Sequence, residues 1–103
     1  MGLFQKLFGI KSSIDIKSLI AEGAFLVDVR TSGEFASGHL KESVNIPLDR
    51  VASQIEKFKN KKNIIVFCRS GIRSGQAKKI LQQNGISNVF NGGTWEQVNK
   101  FIK

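Results

Sequence analysis

Short apolar runs alternate with segments of helical periodicity along this chain, and that alternation limits the folds it can adopt. Residues 25–29 and 63–67 are nearly continuous apolar runs, which are typical of strands covered on both faces. Shorter extended segments are predicted at 44–47 and 89–90. Strands that alternate with helices need crossover connections, which make neighbouring strands parallel. The pattern predicts an α/β fold, a small three-layer domain whose central, mostly parallel sheet has helices on both faces.

Capping residues mark the first two predicted helices. The first is predicted to run from Asp15, its N-cap candidate, to the residue before Gly23. Thr31 and Glu34 stand three residues apart, so each side chain can accept from the other residue's backbone N–H in a capping box. The second helix is therefore expected to begin there and to end near Gly38.

Apolar faces predict the remaining helices. One face of the segment that follows the proline carries Leu48, Val51, Ile55 and Phe58. The helix after the second long strand has the buried face Ala77, Ile80 and Leu81, with Gly85 as its stop. Residues 94–101 are predicted to form a closing helix.

Length and composition favour one domain in a reducing compartment. The 103 residues fit a single core of ordinary size. Cys68 is the only cysteine, which excludes a disulfide within this sequence, and a cytoplasmic location is expected. The first residues lack the pattern of a secretory signal, and no stretch approaches transmembrane length. Because the sequence has one cysteine and one histidine, no metal site and no cofactor are expected.

Residues 1–13 are predicted to be a separate amphipathic segment. The apolar residues on one face of this candidate helix are Leu3, Phe4, Leu7 and Phe8. Packing of the segment onto the domain is favoured because the segment is short. Contact with a membrane surface or a partner protein is the alternative.

The net charge of +8 favours anionic partners and the electrostatic capture of a small anion. Four lysines cluster before the second long strand, namely Lys57, Lys59, Lys61 and Lys62. They lack the interleaved, exposed aromatic residues of a single-stranded nucleic-acid platform. A solvated basic surface is therefore favoured over a nucleic-acid site.

Cys68 lies where the second long strand ends and the next helix begins, which is where parallel sheets place their ligands. Helix N-termini and neighbouring cations favour the thiolate, and Arg69 and Arg73 supply the cations. Ser70 and Gly71 allow successive backbone N–H groups to form an anion-binding nest. These neighbours favour a nucleophile over the alternative, an inert cysteine buried in the core.

Several segments, in order, resemble the rhodanese-like single-domain sulfurtransferases. The first two signatures are matched by residues 26–30 with Glu34-Phe35, and by Gly38-His39-Leu40 through Asn45-Ile46-Pro47. Residues 68–74 (CRSGIRS) resemble the family's active-site loop, and Asn91-Gly92-Gly93 with Trp95 resembles its closing segment. The resemblance covers residues 14 to 95 and implies that residues 14–103 are a rhodanese-like domain.

The resemblance implies that Cys68 accepts a sulfur atom and holds it as a persulfide. The loop that would cradle this persulfide is Arg69, Ser70, Gly71, Ile72 and Arg73, with Arg73 also expected to contact an anion. The implied substrates are a small anionic donor such as thiosulfate and a thiol or cyanide-like acceptor, with a protein acceptor as a further partner. Asp28, Arg30, Glu34 and His39 carry over as scaffold residues.

Other interpretations differ in the role of particular residues. His39 is expected to be structural rather than the base of a catalytic pair, and Trp95 is expected to pack rather than bind.

A cysteine-dependent phosphatase or arsenate reductase would have five residues between cysteine and arginine, whereas four separate Cys68 from Arg73. A catalytically silent binding or regulatory module is the remaining alternative. Lys41-Glu42-Ser43 departs from the proline, glycine and alanine that are more usual in the family.

Overall fold

The computed structural model describes residues 16–102. Its elements, in order, are a helix over residues 16–21 (α1), β1 (Phe25–Asp28), α2 (Ser32–Ser37), β2 (Val44–Asn45), α3 (Leu48–Val51), a 3-10 helix (Ala52–Phe58), β3 (Ile64–Cys68), α4 (Ile72–Gln83), β4 (Val89–Thr94) and α5 (Trp95–Asn99). The predicted amphipathic segment over residues 1–13 and the Asp15 cap lie outside the described residues.

The four strands form one sheet in the order β2-β1-β3-β4, and every neighbouring pair is parallel. β3 lies between β1 and β4, and all five of its residues are buried. A strand with neighbours on both edges and helices on both faces has no exposed side, which explains its continuous apolar sequence. Within residues 16–102, no helix is long and apolar enough to cross a membrane.

Alternate residues of β3 enter two separate cores, which confirms the predicted three layers. Val66 and Cys68 point into one core, together with Ala77 and Leu81 of α4. Ile65 and Phe67 point into the other core, where residues of α1 and α5 pack. The period-two alternation of a strand thus divides a uniformly apolar segment between the two helical layers.

The helix predicted after Pro47 is divided into two parts. The α-helix ends at Val51, and a 3-10 helix with a non-helical residue, Gln54 (φ −124°, ψ 34°), continues to Phe58. Residues three apart are aligned in a 3-10 helix, so Ile55 and Phe58 still turn toward the core. The predicted face was therefore right, while the prediction of one regular helix was wrong.

β4 is longer than the predicted strand at 89–90, because its glycines still pair with β3. Val66 pairs with Asn91 but Phe67 pairs with Gly93, so β4 contains one extra residue, Gly92. A Cβ on Gly92 would lie 2.7 Å from Val98 Cγ2, which leaves no room for a side chain. The irregularity bends the strand beside the Cys68 loop.

Candidate active site

Cys68 ends the central strand β3, and the loop that follows it leads directly into α4. Its side chain is fully buried. The Gly71 N–H donates to Cys68 Sγ at 3.0 Å, and Ser74 Oγ lies 3.5 Å from the same sulfur. The first turn of α4 therefore closes around a sulfur atom at the carboxyl edge of the sheet.

Gly71 gives this loop its tight turn. Its φ of 95° lies in the left-handed region, and a Cβ there would lie 3.3 Å from Gly93 Cα. Any other residue would be strained by its backbone and crowded by β4. The turn directs the N-terminus of the twelve-residue helix α4, which has no side-chain cap, toward Cys68. The partial positive charge of that helix end favours a negative charge on sulfur.

The pKa of the Cys68 thiol is lowered from its ordinary value of 9.0. Burial is the largest single influence and opposes ionisation. It is outweighed by hydrogen bonds from the Ser74 side chain and from the backbones of Ser74, Gly71 and Ser70. Donors that converge on sulfur stabilise its anion. The loop thus favours the nucleophilic thiolate.

Asn91 of β4 ties the loop to the sheet, a role that sequence reasoning missed. Ser74 Oγ donates to Asn91 Oδ1 at 2.7 Å, and the Gly93 N–H donates to the same oxygen at 2.9 Å. Asn91 Nδ2 donates to the Gly71 carbonyl at 3.1 Å. One side-chain amide therefore connects both halves of the loop to the bent end of β4.

Arg73 is held by Glu34 rather than directed into open solvent. Its Nη1 and Nη2 donate to Glu34 Oε1 at 2.7 Å and Oε2 at 3.0 Å. Glu34 also accepts from the Thr31 N–H at 2.9 Å in the predicted capping box, which the structure confirms. The hydrogen bonds from Arg73 and then from Thr31 lower the pKa of Glu34 to about 2. Glu34 thus fastens the beginning of α2 to the first turn of α4.

A buried ion pair supports the site from β1. Arg30 Nη2 donates to Asp28 Oδ2 at 2.7 Å and to the Gly38 carbonyl at 2.8 Å. The Arg30 guanidinium also lies over the Trp95 ring, 4.8 Å from its centroid. Both ionised groups have their partners in place, as burial of charge requires. These contacts match the scaffold role expected of Asp28 and Arg30, and Trp95 packs against the second core.

His39 makes its described contacts away from the thiol. Its Nδ1 bonds the Phe35 carbonyl at 2.8 Å, and its ring stacks on the Phe35 ring with centroids 3.8 Å apart. No contact joins this imidazole to Cys68 among residues 16–102. The geometry matches the expected structural role and offers no base for the sulfur.

The exposed side of the loop borders an open recess. Arg69, Ser70 and Ile72 are exposed, and Ile72 retains 70% of its accessible surface. Of these three residues only Arg69 lines a recess of about 380 Å³, whose walls also contain Arg30, Trp95 and the carboxylates of Glu34 and Glu96. Arg69 makes no ion pair with any other residue of the described chain, so its charge remains available to an anion entering the recess.

Comparison with known proteins points to one family. The model of the Rhodanese-like domain family matches residues 12–96. The thiosulfate sulfurtransferase PspE of Escherichia coli is 38% identical over 69 residues, covering 65% of this chain and 66% of that protein. A tRNA uridine(34) hydroxylase of Wigglesworthia glossinidia brevipalpis is 35% identical over 98 residues, covering 86% of this chain and 31% of that protein. The chain thus spans less than two thirds of either curated relative.

Solved structures give the same fold. A rhodanese from E. coli, solved with anions, is 34% identical in sequence and superimposes with a TM-score of 0.66. The superposition covers 73% of this chain and 91% of that structure.

Proposed function

Since this chain belongs to the rhodanese-like domain family, we propose that it is a sulfurtransferase that moves a sulfane sulfur from a donor such as thiosulfate to a thiophilic acceptor. Cys68 would carry the sulfur as a persulfide. The observation that carries the proposal is the enclosure of Sγ by the helix-initiating loop, with the Gly71 N–H at 3.0 Å. PspE, a relative named as a thiosulfate sulfurtransferase, adds support.

The proposed reaction consists of two displacements at sulfur. The Cys68 thiolate attacks the outer sulfur of thiosulfate, a new S–S bond forms, and sulfite leaves with the electron pair of the broken S–S bond. A thiolate or cyanide then attacks the outer sulfur of the persulfide, and Cys68 leaves as a thiolate. No oxidant, reductant, metal or cofactor is consumed. Covalent catalysis of this kind gives ping-pong kinetics.

The positions of the two loop arginines support separate roles. Arg69 is exposed beside the recess and is proposed to attract the anionic donor. Arg73 is engaged by Glu34 through two hydrogen bonds, at 2.7 and 3.0 Å. Its proposed task is therefore to hold the loop, although an anion contact was expected for it.

The same pairing argues against a phosphatase or arsenate reductase. Such enzymes would need an arginine directed at a tetrahedral oxyanion, whereas two N–H donors of Arg73 are directed at the Glu34 carboxylate. The short loop, with four residues between Cys68 and Arg73, also encloses a single sulfur rather than a larger group. A silent binding module would have no need for a thiol with a lowered pKa.

We propose a cytoplasmic location, because a free thiol stays reduced in a reducing compartment. Because Sγ is fully buried, narrow acceptors such as cyanide or a single extended thiol side chain fit the site better than bulky ones. A protein acceptor would present its cysteine on a protruding segment.

Steady-state formation of thiocyanate from thiosulfate and cyanide tests the proposal. Wild type should give parallel lines in double-reciprocal plots at several cyanide concentrations, and Cys68→Ser should lose activity to background. Lys79→Gln, at an exposed position of α4, serves as the matched control and should retain wild-type rates. Activity that survives in folded Cys68→Ser would contradict the assigned nucleophile.

A further inference from the structure

The Ser74 hydroxyl lies between two atoms that can each accept its one donated hydrogen bond. Ser74 Oγ is 2.7 Å from Asn91 Oδ1 and 3.5 Å from Cys68 Sγ. Ser74 and Cys68 are each fully buried, whereas Asn91 is exposed at the edge of the loop. A hydroxyl donates one hydrogen bond at a time, so it serves either the amide oxygen or the sulfur.

The neighbours of Asn91 fix which of its side-chain atoms faces Ser74. The Gly93 N–H can only donate, and it meets Oδ1 at 2.9 Å. The Gly71 carbonyl can only accept, and it meets Nδ2 at 3.1 Å. The amide therefore cannot be turned around, and its oxygen has no proton to offer. At 2.7 Å from that oxygen, Ser74 must be the donor.

From this arrangement we propose that Asn91 is a positioning residue that competes with Cys68 for the Ser74 hydroxyl proton. While sulfur carries a proton, the thiol donates to Ser74 Oγ and Ser74 donates to Asn91. When sulfur becomes an anion, the hydroxyl turns and donates to Sγ, and its bond to Asn91 breaks. Asn91 thus moderates the donation that Ser74 can give to the thiolate. The inference rests on the proposed role of Cys68.

This competition bears on each stage of the proposed transfer. The thiolate that attacks the donor has Ser74 as a hydrogen-bond donor. In the persulfide the negative charge moves to the outer sulfur, so the Ser74 proton can return to Asn91. The Ser74 hydroxyl therefore donates to Sγ while Sγ is an anion, and it donates to Asn91 Oδ1 at the other stages.

Other charges around the loop stay constant in the test that follows. They are Arg69 and Arg73 from the loop and first turn of α4, Glu34 from α2, and the Asp28–Arg30 pair at the end of β1. β4 contributes Asn91 and no ionisable group. Replacing Asn91 with a neutral residue therefore changes no charge near Cys68.

A double-mutant cycle on the thiol pKa tests the inference. The variants are Asn91→Leu, Ser74→Ala and the pair together, with Leu chosen to keep water from replacing the amide. The pKa is followed by the ultraviolet absorbance of the thiolate, which is clean because the chain has one cysteine and no tyrosine. With Ser74 present, Asn91→Leu should raise the ionisation constant about tenfold more than it does in the Ser74→Ala background.

A purely structural role for Asn91 gives a different result. Loss of the bond to Gly71 would loosen the loop equally in both backgrounds, so equal shifts with Ser74 and with the Ser74→Ala variant would overturn the inference. Should Asn91→Leu fail to fold, Asn91→Asp replaces it, because aspartate keeps the acceptor for Ser74 and Gly93. Its carboxylate should hold the Ser74 proton more tightly, giving a coupling of opposite sign, and zero coupling would again overturn the inference.

The cycle uses no sulfur donor, so its outcome is independent of the proposed function. Coupling between Asn91 and Ser74 without persulfide formation would support the competition for the Ser74 proton and contradict the proposed sulfur transfer. Persulfide formation without coupling would support the sulfur transfer and contradict the competition.

Discussion

Glu34→Gln should destabilise the domain by releasing Arg73 while leaving the cap of α2 intact. Glutamine can still accept from the Thr31 N–H, because glutamine and glutamate both complete a capping box. It cannot accept from both guanidinium nitrogens that now donate at 2.7 and 3.0 Å. The two side chains are 28% and 32% exposed, so solvent screens the pair only in part. A paired, charge-assisted contact of this kind is expected to contribute about 1–2 kcal/mol.

The same residue gives the effect a pH dependence of known sign. The pKa of Glu34 is lowered to about 2 from 4.5, so folding favours its ionised form. The stabilisation is fully present above the ordinary pKa and is lost as the pH falls toward 2. Glutamine does not titrate. The stability gap between wild type and Glu34→Gln should therefore narrow steadily as the pH falls from 4.5 toward 2.

Urea unfolding followed by circular dichroism measures both effects. Glu56→Gln is the matched control, because Glu56 pairs with Lys59 at 3.1 Å but is 86% exposed, and its loss should change stability by less than about 0.5 kcal/mol. Equal losses in the two variants would refute the special role of the Glu34 clamp. So would a Glu34→Gln gap that stays constant down to about pH 3.

Three further substitutions test separate parts of the structure. Gly92→Ala should lower the free energy of unfolding by about 2 kcal/mol, because its Cβ would overlap Val98. Gly33→Ala, at an open helical position, is the control and should be neutral or stabilising. Equal effects of the two substitutions in thermal unfolding would contradict the packing argument. Glu42→Gly should raise the melting temperature by a few degrees, since Glu42 has a φ of 66° that glycine adopts freely. A lower melting temperature would contradict the backbone strain inferred at Glu42. His39→Asn should retain thiocyanate formation, and total loss in a folded variant would make the imidazole essential.

The elements that sequence predicted well are those whose causes are local. The buried run of β3 and the Thr31–Glu34 capping box each depend on neighbouring residues, and both are observed. A helix was also expected beyond the loop of residues 68–74, but α4 begins within that segment, at Ile72. Local periodicity could not reveal the break at Gln54, because its apolar spacing suits an α-helix and a 3-10 helix that follow one another.

The contacts that sequence missed join distant parts of the chain. Glu34 and Arg73 are 39 positions apart, and only the parallel sheet brings α2 to the first turn of α4. Asn91 of β4 contacts Ser74 of α4, 17 positions away, and the two glycines that follow Asn91 gave no strong indication of a strand. Patterns in the sequence therefore identify Cys68 as a candidate nucleophile, but they do not identify Glu34 and Asn91 as the side chains that orient its neighbours.

The central claim is that Cys68 holds a transferable sulfur. Intact-protein mass spectrometry of the folded chain after incubation with thiosulfate tests it directly, with Cys68→Ser treated in parallel. Wild type should gain the mass of one sulfur atom and lose it again on addition of cyanide, and Cys68→Ser should gain nothing. A folded wild type that stays at its original mass would contradict the thiosulfate assignment, and a sulfur gained by Cys68→Ser would contradict the assigned residue.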